Sequence, residues 1–379
     1  MAKVLVVGGG LQGVSTARSL ADAGHTVGLW APPKDFAHKS TAVSLHGFGW
    51  LAEGLEPILE FMGANCFDAA IPMTDDYAHL LSTNSRRIKD ETGCVAAVPA
   101  LSQLEAAADK PTLMEICERA GLPHPRTVRC SASDSADISA LNYPVVVKPD
   151  HSVGARGITK VDNPSGLAKA IATVTQRYGS CHVQEYVESE GPYYNVMIYR
   201  DRNGRQLAHA VLEIIRYYPL QAGSSSMCRT IDDPELVDIC MKALGEIGYV
   251  GFADFDVLRS RQGEYKIIEI NPRVPASLRG AAVSGVNFPA IITADALGLP
   301  IPKCTYEPAK ILRYLGLDIL WFISSPDRFR SRPGWFRFWG RNVFYQEGGR
   351  RDWRAMIAAF LENFNKLEFK GGRIRKKDH

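Results

Sequence analysis

The sequence lacks the patterns that mark several protein classes. Its eight cysteines include no Cys-x-x-Cys pair and are scattered through apolar segments, which argues against a zinc site or a disulfide framework and favours reduced thiols. No apolar run reaches the ~18 residues of a membrane-spanning helix. The nearest, 311–324, is interrupted by Arg313 and Asp318. The first ten residues resemble a strand and a turn rather than a signal peptide. We therefore expect a soluble, cytoplasmic protein.

The chain also lacks a strong charge imbalance. It has 44 basic and 41 acidic residues, a formal net charge of +3, which gives no reason to predict a nucleic-acid partner. Hydrophobic residues make up 46% and charged residues 22%, which excludes a disordered chain. A length of 379 residues suggests two or three domains.

The local patterns divide the chain into regions. The first hundred residues alternate strand and helix, with strands at 3–7 and 25–30 around a helix at 13–23, and this pattern predicts an open parallel α/β sheet. Helices are predicted at 101–107 and 110–120. The middle is strand-rich and of α+β type. Its predicted elements are strands at 143–148, 157–161, 182–187, 193–200, 206–215, 250–259 and 264–270, and helices at 165–178 and 234–247.

A glycine turn follows the first predicted strand. Gly8, Gly10 and Gly13 match the GxGxxG pattern, in which glycines let a phosphate approach a helix N-terminus. A dinucleotide site also needs an acidic residue at the end of the second strand, and the segment Leu29-Trp30 offers none. We favour a turn that packs a helix or lines a substrate pocket, with NAD binding as the alternative.

Three oxygen-bearing side chains fall on two strands joined by a short polar turn. If the strands pair antiparallel, Asp256 lies near Glu269 and Asn271, since alternate residues share a face. Two carboxylates and an amide suit Mg²⁺. The alternative is a solvated polar sheet face. The apolar residues between them and the mutual repulsion of carboxylates favour a cation site.

Two further segments carry possible nucleotide-binding groups. Lys148 ends an apolar strand and precedes a small loop, 149–158, that contains glycines and Arg156. Backbone N–H groups and a guanidinium suit a triphosphate, although a plain hairpin loop is the alternative. The strand 183–188 runs out into an extended segment that can hydrogen-bond an adenine edge.

Together and in this order, these segments resemble the ATP-grasp superfamily of ligases. The matching segments are Asp109-Lys110, Val147-Lys148-Pro149, Gln184-Glu185-Tyr186-Val187, Asp256 and Glu269-Ile270-Asn271-Pro272-Arg273. The resemblance covers roughly residues 1–300. The 13-residue separation of Asp256 and Glu269 is similar to that in D-alanine–D-alanine ligases. Carbamoyl-phosphate synthase ATP-grasp domains are similar too, and the overall pattern is nearer to less characterised carboxylate–amine ligases.

The resemblance implies a fold and a domain order. We expect a Rossmann-like pre-ATP-grasp domain at 1–105, followed by a two-lobed ATP-grasp fold. Its small lobe with the phosphate loop would span 106–185 and its large lobe with the metal site 186–310. A basic, aromatic-rich extension would occupy 311–379.

The resemblance also implies a role for each matching residue. Lys110 and Lys148 would contact the ATP phosphates, and Asp256, Glu269 and Asn271 would hold two Mg²⁺ ions, or Mn²⁺. The adenine would be bound by Glu185, Tyr186 and Val187, the ribose by Glu190 or Glu188, and the γ-phosphate by the loop residues Ser152, Gly154, Arg156 and Gly157. Arg273 would bind the acceptor carboxylate or the transferred phosphate, with Arg279 as a second candidate.

The implied activity is ATP-dependent carboxylate–amine ligation through an acylphosphate, on amino-acid-like substrates. The alternatives are an NAD-dependent oxidoreductase using the glycine turn, and a carboxylase or carbamoyl-phosphate type ATP-grasp enzyme. A homodimer is also conceivable.

The C-terminal segment differs from the rest in charge. Residues 326–379 contain 14 Lys or Arg and 6 Asp or Glu, with arginines interleaved among aromatic residues. Such a segment suits contact with a membrane surface, a carrier protein or RNA. We favour a packed terminal element with arginines at its rim.

Overall fold

The structure is a computed structural model. It describes residues 1–130, 138, 140–150, 157–189, 191–220, 223–348, 352–365, 367–370 and 373–376, with side chains up to residue 362. Within this part of the chain, no helix is long and apolar enough to cross a membrane.

The N-terminal region is a five-stranded parallel sheet, as the alternating pattern predicts. The strands lie in the order β3-β2-β1-β4-β5. They are β1 (Lys3–Val7), β2 (Thr26–Ala31), β3 (Leu45–Phe48), β4 (Ala69–Pro72) and β5 (Val95–Ala96). The helices around them are α1 (Gly10–Asp22), α2 (Glu56–Asn65), α3 (Asp75–Thr83), α4 (Ser85–Thr92) and α5 (Leu101–Ala108). Because helices cover both faces, the central strand is a continuous buried apolar run.

A four-stranded antiparallel sheet follows, in the order β6-β9-β7-β8. Its strands are β6 (Thr127–Arg129), β7 (Val145–Pro149), β8 (Thr159–Val161) and β9 (Cys181–Glu185). Helix α6 (Lys110–Arg119) precedes it, and α7 (Leu167–Tyr178) packs its apolar side onto it through Leu167, Ala170 and Val174.

The largest sheet has seven strands, in the order β14-β13-β10-β11-β12-β15-β16. They are β10 (Tyr193–Arg200), β11 (Gln206–Tyr218), β12 (Ser224–Ile231), β13 (Gly251–Arg259), β14 (Tyr265–Asn271), β15 (Ile311–Arg313) and β16 (Val343–Tyr345). The helices of this region are α8 (Pro234–Ile247), α9 (Leu278–Val283), α10 (Phe288–Ala296) and α11 (Leu315–Ser324). The sequence patterns predicted β10, β11, β13 and β14 but not β12.

The two faces of the seven-stranded sheet belong to different cores. One face, with Val196 and Phe255, packs against α6 and α8. The other, with Met197 and Phe252, packs against α10 and against α1 of the N-terminal region. The second face therefore lies against the parallel sheet domain.

The C-terminal segment is partly packed and partly exposed. The chain ends in α12 (Trp353–Asn365), β17 (Leu367–Lys370) and β18 (Arg373–Lys376). Trp335 Nε1 donates a hydrogen bond to the Asp318 carbonyl oxygen (3.0 Å), and the Arg313 guanidinium lies 4.3 Å over the ring of Phe338. Phe329 and Trp339 are 75% and 84% exposed. The packed-element interpretation thus describes only part of the segment.

Candidate functional site

Two carboxylates meet on neighbouring strands, as the sequence predicts. Strands β13 and β14 pair antiparallel with Asp256 directly opposite Glu269, so the two side chains project from the same face of the sheet. The alternate residues Phe255 and Ile270 are buried in the core on the other face, which fixes the register. Asn195 of β10, opposite Asp256, donates its amide Nδ2 to the Asp256 carboxylate.

The next positions along the same face bring three more polar groups together. Asn271 lies opposite Asp254, and its Nδ2 is 3.5 Å from the Asp254 carbonyl oxygen. Arg273 donates from Nη2 to Asn271 Oδ1 (3.2 Å), while its Nε lies 3.3 Å from Asp75 Oδ1. Asp75 begins α3 of the N-terminal region, so Arg273 joins the two parts of the molecule.

Both predicted phosphate-binding lysines point to this cluster. Lys110 is the first residue of α6, capped by Asp109, and its Nζ lies 3.1 Å from Glu269 Oε2. Lys148 Nζ donates to Gln184 Oε1 (2.6 Å) on the neighbouring strand β9. The Gln184 amide in turn donates to Thr127 Oγ1 (2.8 Å), which holds the acceptor in place.

Burial and neighbouring charges shift the pKa values of these groups. Burial lowers the pKa of Lys148 to about 8, although Glu269 partly offsets it. Burial is the largest single effect on Lys110 and acts against its charge, but the combined attraction of Glu269, Asp75 and Asp256 raises the Lys110 pKa. Burial is the largest single effect on Glu269 and would raise its pKa, but the combined effect of its neighbours, led by Lys110 and including Lys148, lowers the pKa to about 2.

The pKa values of Asp254 and Asp256 shift upward, in the opposite direction to that of Glu269. Burial, and then the charge of Glu269, raise the pKa of Asp256 well above its usual range. Burial also raises the pKa of Asp254, opposed by Arg273. A bound cation would reverse both effects, because it favours the charged carboxylate.

The predicted adenine-binding residues form the link between the antiparallel sheets. Residues 186–189 connect β9 to the stretch that leads into β10. Glu185 Oε1 accepts hydrogen bonds from the Asn142 backbone N–H (2.9 Å) and side-chain amide (2.8 Å). The Tyr186 N–H donates to the Pro144 carbonyl (2.9 Å), and Val187 beside it is half-buried. The link is therefore anchored at its β9 end.

Several predicted residues are not placed by the structure. Ser152, Gly154, Arg156 and Glu190 lie outside the described residues. Gly157 is described, with φ +76°, and a Cβ there would come within 2.5 Å of the Tyr178 ring. The position therefore requires glycine. Glu188, the other ribose candidate, lies 3.3 Å from Arg261 through Oε2.

Arg279 and Arg273 have different charged neighbours in the structure. It belongs to α9, and its charged neighbours are Arg18 and Asp22 of α1 and Glu347. Burial lowers its pKa to about 10. No contact in the described residues joins it to the carboxylates of β13 and β14.

The glycine turn at the start of α1 binds the side-chain carboxylate of Asp35, a residue of the same chain. Asp35 accepts hydrogen bonds from the N–H groups of Gly10 (3.1 Å) and Ala37 (2.8 Å). A Cβ at Gly9 would lie 2.1 Å from the Asp35 carboxyl carbon, so glycine is needed there for this close approach. The side chain thus occupies the place at the α1 N-terminus where a dinucleotide phosphate would bind.

The donor set suits a hard divalent cation. In the described residues, no group of three His, Cys, Asp or Glu side chains is gathered closely enough to hold a metal by itself. Magnesium needs less, since it commonly binds one or two carboxylates together with substrate phosphates. Asp256, Glu269 and the Asn271 amide supply that minimum. The two carboxyl groups face each other across the paired strands, where a cation can offset their mutual repulsion.

Three groups of the cluster were not among the predicted site residues. Asp254 could have been predicted from the sequence, because it stands two residues before Asp256 and so shares its face. The sequence gives no indication that Asn195 and Asp75 belong to the cluster, since only the strand order and the packing of the N-terminal region bring them next to it.

Part of the chain matches a known domain family, and the chain is similar to several known proteins. Residues 107–277 match the model of the ATP-grasp domain family. The chain is similar to the D-alanine–D-alanine ligase of Pseudomonas entomophila strain L48, with 24% identity over 208 residues, 50% of this chain and 65% of the ligase. It is also similar to the D-aspartate ligase of Enterococcus faecium strain Aus0004, with 26% identity over 258 residues, 61% of this chain and 59% of that protein. The matches thus span less than two thirds of these relatives.

A solved structure shares the overall fold. The chain superposes on the biotin carboxylase–βγ-ATP complex of Campylobacter jejuni with a TM-score of 0.68 and 17% identity, covering 82% of this chain and 74% of that one. Residues 107–277 therefore match an ATP-grasp domain, the chain shares the overall fold of that solved structure, and the resemblance inferred from the motifs is confirmed.

Proposed function

We propose that this protein is an ATP-dependent carboxylate–amine ligase that forms a carbon–nitrogen bond and releases ADP. The observation that carries the proposal is the cluster of Asp256, Glu269, Lys110 and Arg273 on one face of the large sheet. The cluster brings together carboxylate oxygens that can bind a metal, an ammonium group that can bind phosphates and a guanidinium that can bind an anion. Phosphoryl transfer needs such positioning and charge neutralisation, and little covalent help.

ATP would bind between the two antiparallel sheets. Lys110 and Lys148 would hold its phosphates, and the link with Glu185, Tyr186 and Val187 its adenine. Asp256, Glu269 and Asn271 would hold two Mg²⁺ ions, or Mn²⁺. Bound magnesium would neutralise the phosphate oxygens between which the phosphoryl group passes.

The reaction would proceed in two steps. A carboxylate oxygen of the first substrate attacks the γ-phosphorus of ATP, and ADP leaves with the electrons of the broken bond. The amine of the second substrate then attacks the acyl carbon of the acylphosphate. Phosphate leaves, the amide forms and the amine loses a proton. Lys110, Lys148 and Arg273 would stabilise the negative charge that moves among these oxygens.

Two other functions are less well supported. For an NAD-dependent oxidoreductase, the pyrophosphate position at α1 is taken by Asp35. A carboxylase or carbamoyl-phosphate type enzyme would use the same ATP site, and only its substrates would differ. The curated relatives described above are a D-alanine–D-alanine ligase and a D-aspartate ligase, which supports the ligase function.

The domain roles are part of the proposal. The parallel sheet of 1–105 would be a Rossmann-like pre-ATP-grasp domain, 106–185 the small lobe and 186–310 the large lobe. Residues 311–379 would form the extension, although β15 and β16 within it continue the large sheet. A homodimer, a cytoplasmic location and contact of the exposed aromatics with a membrane surface or carrier protein stay predictions.

The deciding experiment is an ATP-hydrolysis screen. The protein is incubated with Mg²⁺–ATP and amino acids, singly and in pairs, while ADP release and new products are followed by coupled assay and mass spectrometry. We expect ADP release that depends on both a carboxylate and an amine, with one amide formed per ADP. Glu269→Gln serves as the inactive control. Bicarbonate-dependent turnover without an amide product would favour the carboxylase instead.

A further inference from the structure

Two histidine rings meet at the edge of the parallel sheet of the N-terminal region. His38 lies in the one-turn helix Phe36–Lys39 that follows β2, and His46 lies on the edge strand β3. Their Nδ1 atoms are 3.2 Å apart. This histidine pair is separate from the carboxylate and lysine cluster described above, and the proposed ligase function makes no use of it.

The spacing of the two Nδ1 atoms is that of two ligands on one metal ion. Zinc binds imidazole nitrogen at about 2.0–2.1 Å in a tetrahedral arrangement, which places two such nitrogens about 3.3 Å apart. The 3.2 Å of the histidine pair is close to this separation. A hydrogen bond from ring to ring has a similar length, so the position of each proton matters.

A backbone hydrogen bond fixes the tautomer of His38. Its Nε2 lies 3.2 Å from the Ala31 carbonyl oxygen, which can only accept, so Nε2 carries the proton. In the neutral ring Nδ1 is then a lone pair that faces His46, and His46 Nδ1 donates its proton to it. Histidines that bind metals are commonly held in this way, with the other ring nitrogen donating to a carbonyl oxygen.

Packing holds the two rings in place, and His46 is kept uncharged. The Phe48 ring centroid lies 4.6 Å from that of His38, and its plane is within 10° of parallel to the His46 ring. Burial, and then the neighbouring His38, lower the pKa of His46 from its usual value of 6.5, so its ring is neutral at pH 7. The histidine–carboxylate contacts of the described residues are those of His79 and His182, so no carboxylate in this part of the chain competes for the pair.

We propose that His38 and His46 bind a late first-row divalent cation such as Zn²⁺ through their Nδ1 atoms. Imidazole suits these ions, whereas Mg²⁺ takes oxygen ligands. Binding needs one internal change, the transfer of the His46 proton from Nδ1 to Nε2, after which the metal takes the place of that proton. Water completes the coordination, because two protein ligands leave positions open. The ion ties the turn after β2 to strand β3.

Calorimetric titration with Zn²⁺, in excess Mg²⁺ to occupy oxygen sites, tests the pair. His46→Asn should weaken the binding of one zinc ion per chain by about tenfold or more. His38→Asn should do the same, and the double variant should lose little more, because the first substitution already ends chelation. His79→Asn is the matched control, since His79 is exposed on α3. Melting temperatures without zinc verify folding, and the exposed position of His46 makes its variant the safer of the two.

Proton release and the histidine tautomer distinguish the pair from a thiol site. Two neutral imidazoles bind zinc without releasing a proton at about pH 7.5, whereas an exposed thiol such as Cys66 must lose one. The binding enthalpy should therefore be the same in buffers of different ionisation enthalpy. Imidazole ¹⁵N spectra should show the His46 proton move from Nδ1 to Nε2 as zinc is added.

Three results would each overturn the metal site. One is a zinc titration that neither His38→Asn nor His46→Asn alters, or that His79→Asn alters equally. Another is an enthalpy that varies with the buffer by one released proton, which would place the ion on a thiol. The third is a His46 tautomer that stays unchanged at saturating Zn²⁺, which would leave the pair joined by a proton alone. None of these outcomes bears on ATP turnover, so the ligase function is tested separately.

Discussion

Asp256 lies directly opposite Glu269 on the paired strands β13 and β14, so their carboxyl groups face each other. This arrangement brings two like charges together in a buried place, which is unfavourable unless a proton or a cation separates them. Lys110 meets part of this need through its 3.1 Å contact with Glu269. We expect Mg²⁺–ATP to take over that role, with the ammonium of Lys110 turning to the phosphates.

Removing the charge of Glu269 should abolish Mg²⁺-dependent ATP turnover while the fold remains. Glu269→Gln keeps the shape of the side chain but removes an anionic ligand, and Asn271→Ala removes an amide oxygen. ADP release as a function of Mg²⁺ concentration measures the effect. Glu264→Gln is the matched control, because Glu264 is exposed in the turn before β14. Wild-type turnover by Glu269→Gln would refute the metal assignment.

Lys148→Ala should weaken nucleotide binding more than it lowers stability. An ammonium facing a triphosphate contributes a charge-assisted contact of ~1.5–3 kcal/mol, so calorimetry should show a loss of ATP affinity of about tenfold or more. Lys169→Ala, on the exposed side of α7, should leave the affinity unchanged. If Lys148→Ala instead lowered the melting temperature and spared ATP binding, the residue would be structural.

The same lysine predicts how ATP affinity depends on pH. Burial lowers its pKa to about 8 in the free protein, and bound phosphates favour the ammonium. Binding above pH 8 therefore requires uptake of a proton, and the Kd should rise by about tenfold per pH unit there. Below pH 8 this dependence should vanish. Titrations from pH 7 to 9.5 check it, and Lys148→Ala should lack the upper rise.

ATP with Mg²⁺ should stabilise the protein and NADH should not. Both ligands carry an adenosine, but the Asp35 carboxylate occupies the α1 N-terminus that a dinucleotide would need. Thermal shifts that grow with ligand concentration report binding. Strong stabilisation by NADH together with no response to Mg²⁺–ATP would contradict the ATP site.

Asp318→Asn should destabilise the protein by about 3–5 kcal/mol, because it leaves two buried guanidinium groups without their shared anion. Arg216 lies 3.2 Å from Asp318, Arg313 also pairs with it, and all three side chains are no more than 1% exposed. Denaturant unfolding measures the loss. Asp327→Asn, at an exposed position nearby, should change stability little. A similarly small effect of Asp318→Asn would show that the cluster contributes little.

Sequence patterns predicted the parts of the site that depend on short-range order. Strands β13 and β14 are joined by a short polar turn, and alternation along them places Asp256 opposite Glu269. Strand β12 escaped prediction because Ser224, Ser225 and Ser226 carry no apolar alternation. Its strand state comes from pairing with β11 and β15.

The sequence by itself determined the motifs, their order and hence the ATP-grasp domain, since each motif is a local pattern of residue types. Only the tertiary structure decided which groups face one another across elements. The pair of Lys110 and Glu269, the Arg273–Asp75 contact and the Asp35 carboxylate at α1 all join residues distant in the chain. Such contacts depend on how whole elements pack, because packing fixes side-chain distances that no local periodicity encodes. For the same reason, the close approach of His38 and His46 became visible only in the folded chain.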